Sequence, residues 1–220
     1  MLNNPKAVLF DLDGTLLDTM GDLAEAVNHV LRTERLEVLS LKEIRGILGT
    51  GPKSLLLKAV YGRDDFEAEG LDRLLKIFRE YYDKNLNVKT KPYPGTIEML
   101  KTLKKSGKRM AVLSNKYDAA VHRLCDIYFP KIFEKVFGMR ENVPRKPEPE
   151  AILGVLEELN IEPDDAIYIG DSDVDVEAAK NSGVQCIGCS WGFRGRAFLE
   201  ETGCEIIIDS WDELNAMLKL

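Results

Sequence analysis

At 220 residues, 45% of them hydrophobic and 30% charged, the chain has the composition of a folded globular protein with one sizeable core, or a core plus a small second domain, and disorder is excluded. The excess of 37 Asp and Glu over 30 Lys and Arg sets the net charge at −7, and the lysines are dispersed among acids, so no basic footprint exists for a nucleic-acid backbone. No apolar run approaches the roughly 18 residues of a membrane helix, and the first residues lack a basic stretch leading into a long apolar one; a cytoplasmic protein with no membrane partner is expected.

The first element is a short apolar run, Val8-Leu9-Phe10, that reads as a buried parallel strand and stops at Asp11 and Asp13, two acids one residue apart. In open α/β sheets the crevice outside the carboxyl ends of the strands is where ligands bind, and Gly14 allows close backbone approach there. Two carboxylates about 4 Å apart repel by roughly 4 kcal/mol at an effective dielectric of about 20. A cation or a proton has to offset that, and either one points to chemistry; an ordinary acidic turn is the competing reading.

From about residue 19 to 82 the apolar spacing predicts helices alone, over 22–32, 41–48, 53–60 and 71–82. Lys91-Pro92-Tyr93-Pro94-Gly95 then makes a stiff turn, so residues 18–91 read as a helical domain inserted into a second one made of 1–17 and 92–220. Beyond it helices (96–105, 118–127, 148–159, 173–181, 211–218) alternate with strands (109–114, 135–138, 166–170, 184–188 and a weak one at 205–208). That alternation calls for an α/β fold, a doubly wound, Rossmann-like parallel sheet with helices on both faces. An insert placed directly after strand one is expected to cover that strand's carboxyl end as a lid.

Further strand ends carry polar groups. Ser114-Asn115 follows Ala111-Val112-Leu113 and offers a hydroxyl and an amide to an anion, or a cap to the next helix. Lys146 stands before Pro147, a residue suited to a helix's first turn, which aims its ammonium at the same crevice unless it is a solvated surface lysine. Ile167-Tyr168-Ile169 ends in Gly170-Asp171-Ser172-Asp173-Val174-Asp175; acids there suit a helix start, and Asp171 opposite Asp11 completes an oxygen set that suits Mg²⁺. The four cysteines, Cys125, Cys186, Cys189 and Cys204, are too sparse for a disulfide scaffold. Cys186 and Cys189 have metal spacing but no neighbouring His, so packed, reduced thiols are expected, and His29 and His122 read as surface or packing residues.

The set FDLDGT, SN, RKP and GDSDVD, in this order and at these positions, resembles the haloacid-dehalogenase-like phosphatases over essentially the whole chain. The helical insert resembles that superfamily's small cap, and Leu48-Gly49-Thr50-Gly51-Pro52-Lys53-Ser54-Leu55-Leu56 is similar to the substrate loop of the phosphoglycolate phosphatase subgroup. The resemblance implies roles. Asp11 would be the nucleophile and Asp13 the general acid and base; Asp11, the Asp13 carbonyl and Asp171 would hold Mg²⁺, with Asp175 a ligand or its support. Ser114, Asn115 and Lys146 would bind the phosphoryl group, Thr15 would steady the loop, and Thr50 and Lys53 would meet the leaving group. The activity implied is hydrolysis of a small phosphate monoester, phosphoglycolate first, by a monomer or dimer. A sugar-phosphate mutase or a pyrophosphatase of the same fold is the alternative. A carbon–phosphorus hydrolase is disfavoured by the presence of Asp13, and a phospho-acceptor signalling domain would need neither Asp13 nor the insert.

Overall fold

The apolar run Ala7–Phe10 forms strand β1, all four residues buried, as a strand covered on both faces must be. Its side chains alternate: Ala7 and Leu9 join a cluster with Ile152, Val155, Leu156 and Leu159, whereas the Phe10 ring meets Phe133 and Trp211 edge-on. In this computed structural model residues 4–49, 51–62 and 70–220 are described, and the chain divides into two units, Met1–Asp18 with Pro92–Leu220, and Thr19–Lys91. A two-residue strand, β2 (Leu17–Asp18), closes the first segment.

The unit Thr19–Lys91 carries helices α1 (Met20–Thr33), α2 (Leu41–Ile47), α3 (Pro52–Tyr61) and α4 (Leu71–Asn85). On α1 the buried positions Leu23, Ala26, Val27, Val30 and Leu31 recur at helical spacing, and α1 packs on α2, α3 and α4. Ser40 and Glu43 form a capping box that starts α2, and Pro52 takes the first position of α3, where its missing N–H costs nothing. Asp22 ties the two ends of the unit together. Its buried carboxylate accepts from the Lys89 N–H (2.9 Å), the Thr90 N–H (2.9 Å) and the Thr90 hydroxyl (2.8 Å). His29 stacks on Tyr81 with ring centroids 4.1 Å apart.

The chain then runs through β3 (Lys91–Pro92), α5 (Thr96–Lys105), β4 (Arg109–Tyr117), α6 (Asp118–Tyr128), β5 (Lys135–Met139), α7 (Pro149–Leu159), β6 (Ala166–Gly170), α8 (Asp173–Ser182), β7 (Gln185–Cys189), α9 (Arg196–Glu201), β8 (Ile207–Ile208) and α10 (Trp211–Leu218). The six-stranded sheet has the order β5-β4-β1-β6-β7-β8, and every described pairing is parallel. β1 therefore lies where the order reverses, with β4 on one side and β6 on the other, the position at which such sheets leave a crevice. The sheet is the doubly wound α/β one the alternation predicts.

Two local expectations are corrected. β4 runs on to Tyr117 instead of ending at Ser114, with a register shift between Leu113 and Tyr117. Pro147 precedes α7, whose cap is Glu148 and whose first residue is Pro149, so Lys146 sits in a loop and is not placed by a helix turn. The short helix α9 begins after Gly195 without a side-chain cap and gives little periodic signal over six residues. Among the described residues no helix is long and apolar enough to cross a membrane, and all four cysteines are free.

Candidate active site

Parallel pairing in register sets the site. Phe10 is level with Val112 on β4 and Ile169 on β6, so Asp11, Leu113 and Gly170 are the next residues out on three adjacent strands. The Asp11 N–H donates to the Ile169 carbonyl (2.9 Å), which fixes the nucleophile candidate at the carboxyl end of the central strand β1. Asp171 and Asp175 follow on the β6-to-α8 turn, and carboxylate oxygens of Asp11, Asp171 and Asp175 all lie within 4.8 Å of one another.

Each acid is fastened differently. Asp171 accepts from the Phe193 N–H (2.7 Å) and the Thr15 hydroxyl (3.2 Å). Two glycines make room for it: a Cβ on Gly14, whose φ of +86° already favours glycine, would stand 2.3 Å from Asp171 Oδ2, and one on Gly192 would stand 2.2 Å from Asp171 Cβ. Asp175 is saturated. Its Oδ2 accepts from the Asp171 N–H (3.1 Å), the Ser172 N–H (3.0 Å) and the Ser172 hydroxyl (2.6 Å), while Oδ1 receives Lys146 Nζ (2.6 Å). By contrast Asp11 Oδ1 is buried and makes no hydrogen bond, although Lys146 Nζ lies 3.0 Å away as an ion-pair partner.

Lys146 is itself nearly enclosed, between Asp11, Asp175 and the Tyr168 hydroxyl (2.8 Å). Burial works against its charged form, but Asp11 and Asp175 outweigh burial and hold the ammonium above its ordinary range. Tyr168 in turn bonds the Leu113 carbonyl (3.0 Å), tying β6 to β4, and burial followed by the charges of Asp175 and Asp11 keeps its phenol protonated. The Asn115 amide donates to the Lys146 carbonyl (2.8 Å), which anchors the loop that carries this lysine. Ser114 is buried one residue beyond Leu113, and its hydroxyl accepts the Lys116 N–H at 3.3 Å.

The electrostatics call for a cation or a proton among these acids. Burial, then the charges of Asp175 and Asp13, push Asp11 up to about 7 against the opposing pull of Lys146. Burial, with Asp175 and Asp11, raises Asp171 well above the usual carboxylate range despite its two donors. Carboxyls this strained toward protonation, all oxygen donors, with one buried oxygen lacking a hydrogen bond, fit a hard divalent ion such as Mg²⁺. Asp11 has an oxygen without a hydrogen bond to offer it, and each Asp171 oxygen accepts one described hydrogen bond and keeps a lone pair. The oxygens of Asp175 already serve Lys146 and the α8 turn.

Asp13 has a partner that reading the sequence missed. Lys116 Nζ lies 2.9 Å from both Asp13 oxygens, with the lysine side chain only 4% exposed. The signal was the polar run Ser114-Asn115-Lys116 after an apolar strand, but ending the strand at Ser114 left Lys116 in the connection before the helix at 118–127. Tyr168 and the Phe193 N–H were likewise missed, one hidden in an apolar strand and the other a backbone group. Lys53 is exposed in the first turn of α3, in the other unit, and Thr50 lies outside the described residues.

A family model described as haloacid dehalogenase-like hydrolase matches residues 8–189. Phosphoglycolate phosphatase 1 of Pseudomonas aeruginosa is 35% identical over 215 residues, covering 96% of this chain and 78% of its own length. The solved structure of a candidate phosphoglycolate phosphatase from Lactobacillus delbrueckii subsp. bulgaricus superposes with a TM-score of 0.89 at 30% identity, over 97% of this chain and 98% of that one. CbbY of Rhodobacter sphaeroides, solved in complex with phosphate, gives a TM-score of 0.82 at 26% identity over 98% and 100%.

Proposed function

The chain belongs to the haloacid dehalogenase-like hydrolase family, and from that premise we propose that it is a Mg²⁺-dependent phosphomonoesterase of the cytoplasm, a monomer or dimer, acting on phosphoglycolate or a similar small ester. The observation that carries the reading is the buried trio Asp11, Asp171 and Asp175 at the sheet's reversal point, with Lys146 set against two of them. The inserted unit Thr19–Lys91 is proposed as its cap domain, with Thr50 and Lys53 as leaving-group contacts.

Asp11 attacks the phosphorus, forming an aspartyl-phosphate as the ester P–O bond breaks, and Asp13 gives its proton to the departing alcohol oxygen. Asp13 then takes a proton from a water that attacks the phosphoenzyme, which releases inorganic phosphate and restores both carboxyls. Lys146 and Ser114 stabilise charge on the transferring oxygens, and Asn115 holds the Lys146 loop. Asp11, the Asp13 carbonyl and Asp171 would hold Mg²⁺, which when bound neutralises the phosphate dianion. Burial of the trio serves catalysis as well as binding, since electrostatic stabilisation grows where water is excluded.

The test is phosphate release from a panel of small phosphate esters. Turnover of phosphoglycolate that excess chelator abolishes and Mg²⁺ restores supports the proposal. Stable phosphorylation by acetyl phosphate without turnover would assign the chain to the phospho-acceptor class instead.

A further inference from the structure

Lys116 is unused by the mechanism above, and its location is specific. It extends from the last part of β4, and its ammonium lies 2.9 Å from each oxygen of Asp13, whose side chain is 17% exposed. Lys146, the other buried lysine of the site, is committed to Asp11 and Asp175. The two cations therefore divide the site between its two jobs, one beside the attacking carboxylate and one beside the carboxylate that faces the leaving group.

We propose that Lys116 is a specificity-determining residue, selecting phosphate esters whose leaving group bears a carboxylate or similar anion within two carbons of the scissile oxygen; the inference rests on the phosphatase reading. Distances bound the claim. If Asp13 protonates the leaving oxygen, that oxygen lies about 2.7 Å from one Asp13 oxygen in the reacting complex. Lys116 Nζ is 2.9 Å from that same oxygen, so ammonium and leaving oxygen are separated by no more than about 5.6 Å. A carboxylate attached through a single CH₂ group falls within the same radius and turns about two single bonds to approach the ammonium. An uncharged hydroxyl in its place gains far less, because it lacks the full negative charge that an ammonium about 4 Å away attracts strongly at an effective dielectric of about 20. The enclosure of Lys116, at 4% side-chain exposure, limits the screening that would weaken this contrast on an open surface.

The experiment compares kcat/KM for 2-phosphoglycolate and for 2-hydroxyethyl phosphate, which has a CH₂OH in place of the carboxylate, on the full chain with Mg²⁺. The unaltered enzyme is expected to prefer phosphoglycolate. Lys116→Gln is expected to lower the ratio of the two kcat/KM values by roughly 10- to 100-fold, the range for losing a charged contact to one substrate of a pair. Lys116→Arg is expected to keep most of the ratio. Loss of activity on both esters in equal proportion overturns the inference, since Lys116 would then only hold Asp13 in place. Equal kcat/KM on both esters in the unaltered enzyme overturns it without recourse to any variant. No hydrolysis of any phosphate ester by the unaltered protein is a different outcome, and it removes the phosphatase reading together with this one.

Discussion

Lys146 Nζ lies 2.6 Å from Asp175 Oδ1, with the two side chains 2% and 0% exposed, so the pair at the heart of the site has exchanged water for one another. A buried pair is costly to assemble and more costly to break, because removing one partner strands the other charge. Asp175→Ala would leave three donors, the Asp171 N–H, the Ser172 N–H and the Ser172 hydroxyl, without their acceptor, and would leave Lys146 with Asp11 but without its nearer carboxylate. The expected loss is about 3–5 kcal/mol in urea unfolding. The double variant Asp175→Ala with Lys146→Met should regain part of it, and a single variant as stable as the parent would show that the pair contributes nothing.

The two acids of the first strand end should fail in different ways. Asp11→Asn removes the nucleophile, so no phosphoenzyme should be trapped from any donor. Asp13→Asn should slow phosphoglycolate turnover by roughly 10²- to 10⁴-fold, the usual reach of general acid–base catalysis. With acetyl phosphate, whose leaving group needs little protonation, phosphoenzyme should still form and then persist. Acid-quench trapping and rapid-mix phosphate release separate these outcomes; turnover by Asp11→Asn within tenfold of the parent would refute the covalent route.

Stability in chelator should fall as pH rises from about 4 toward 7. Asp11 is raised from 3.8 to about 7, so over that window the folded chain keeps a proton that the unfolded chain has lost. The folded state therefore loses stability with rising pH, by up to about 1.4 kcal/mol per pH unit from this group, until Asp11 ionises in both states. Asp171 is raised too and acts with the same sign. Urea midpoints at pH 5 and pH 7.5 should differ less in Asp11→Asn than in the parent, with Asp171 carrying the remainder, and Mg²⁺ should recover the parent at pH 7.5 by binding the ionised carboxylates. A parent more stable at pH 7.5 than at pH 5 in chelator would contradict the cause assigned to the shift.

Asp22 makes a prediction about the helical unit. Its carboxylate accepts three donors from Lys89 and Thr90, 67 and 68 residues away, and it lies in the first turn of α1, where a negative charge is favoured. Asp22→Ala should destabilise the unit by about 2–4 kcal/mol, because buried donors would be left unsatisfied. Hydrogen exchange at the Lys89 and Thr90 amides should accelerate first, while the β1 amides stay protected. Asp22→Asn retains an acceptor and should lose less.

Much of this protein was legible in its residues taken singly. The runs Ala7–Phe10 and Ala166–Gly170 are apolar throughout and end in Asp11 and Asp171, so both the strands and the acids at their ends follow from local pattern, and so does the alternation that makes the sheet parallel. What tertiary structure decided are the partnerships. Asp171 and Asp175 look alike in sequence, yet one accepts from Phe193 and Thr15 and sits between two glycines, while the other is spent on Lys146 and Ser172. Lys116 and Asp13 are 103 positions apart, and no periodicity links them. Local patterns are set by the dihedral preferences and burial of neighbours along the chain, whereas an ion pair is set by where two strands happen to be adjacent and in register. The register shift in β4 between Leu113 and Tyr117, which accompanies Lys116 remaining on the strand, exists only because β5 lies beside it.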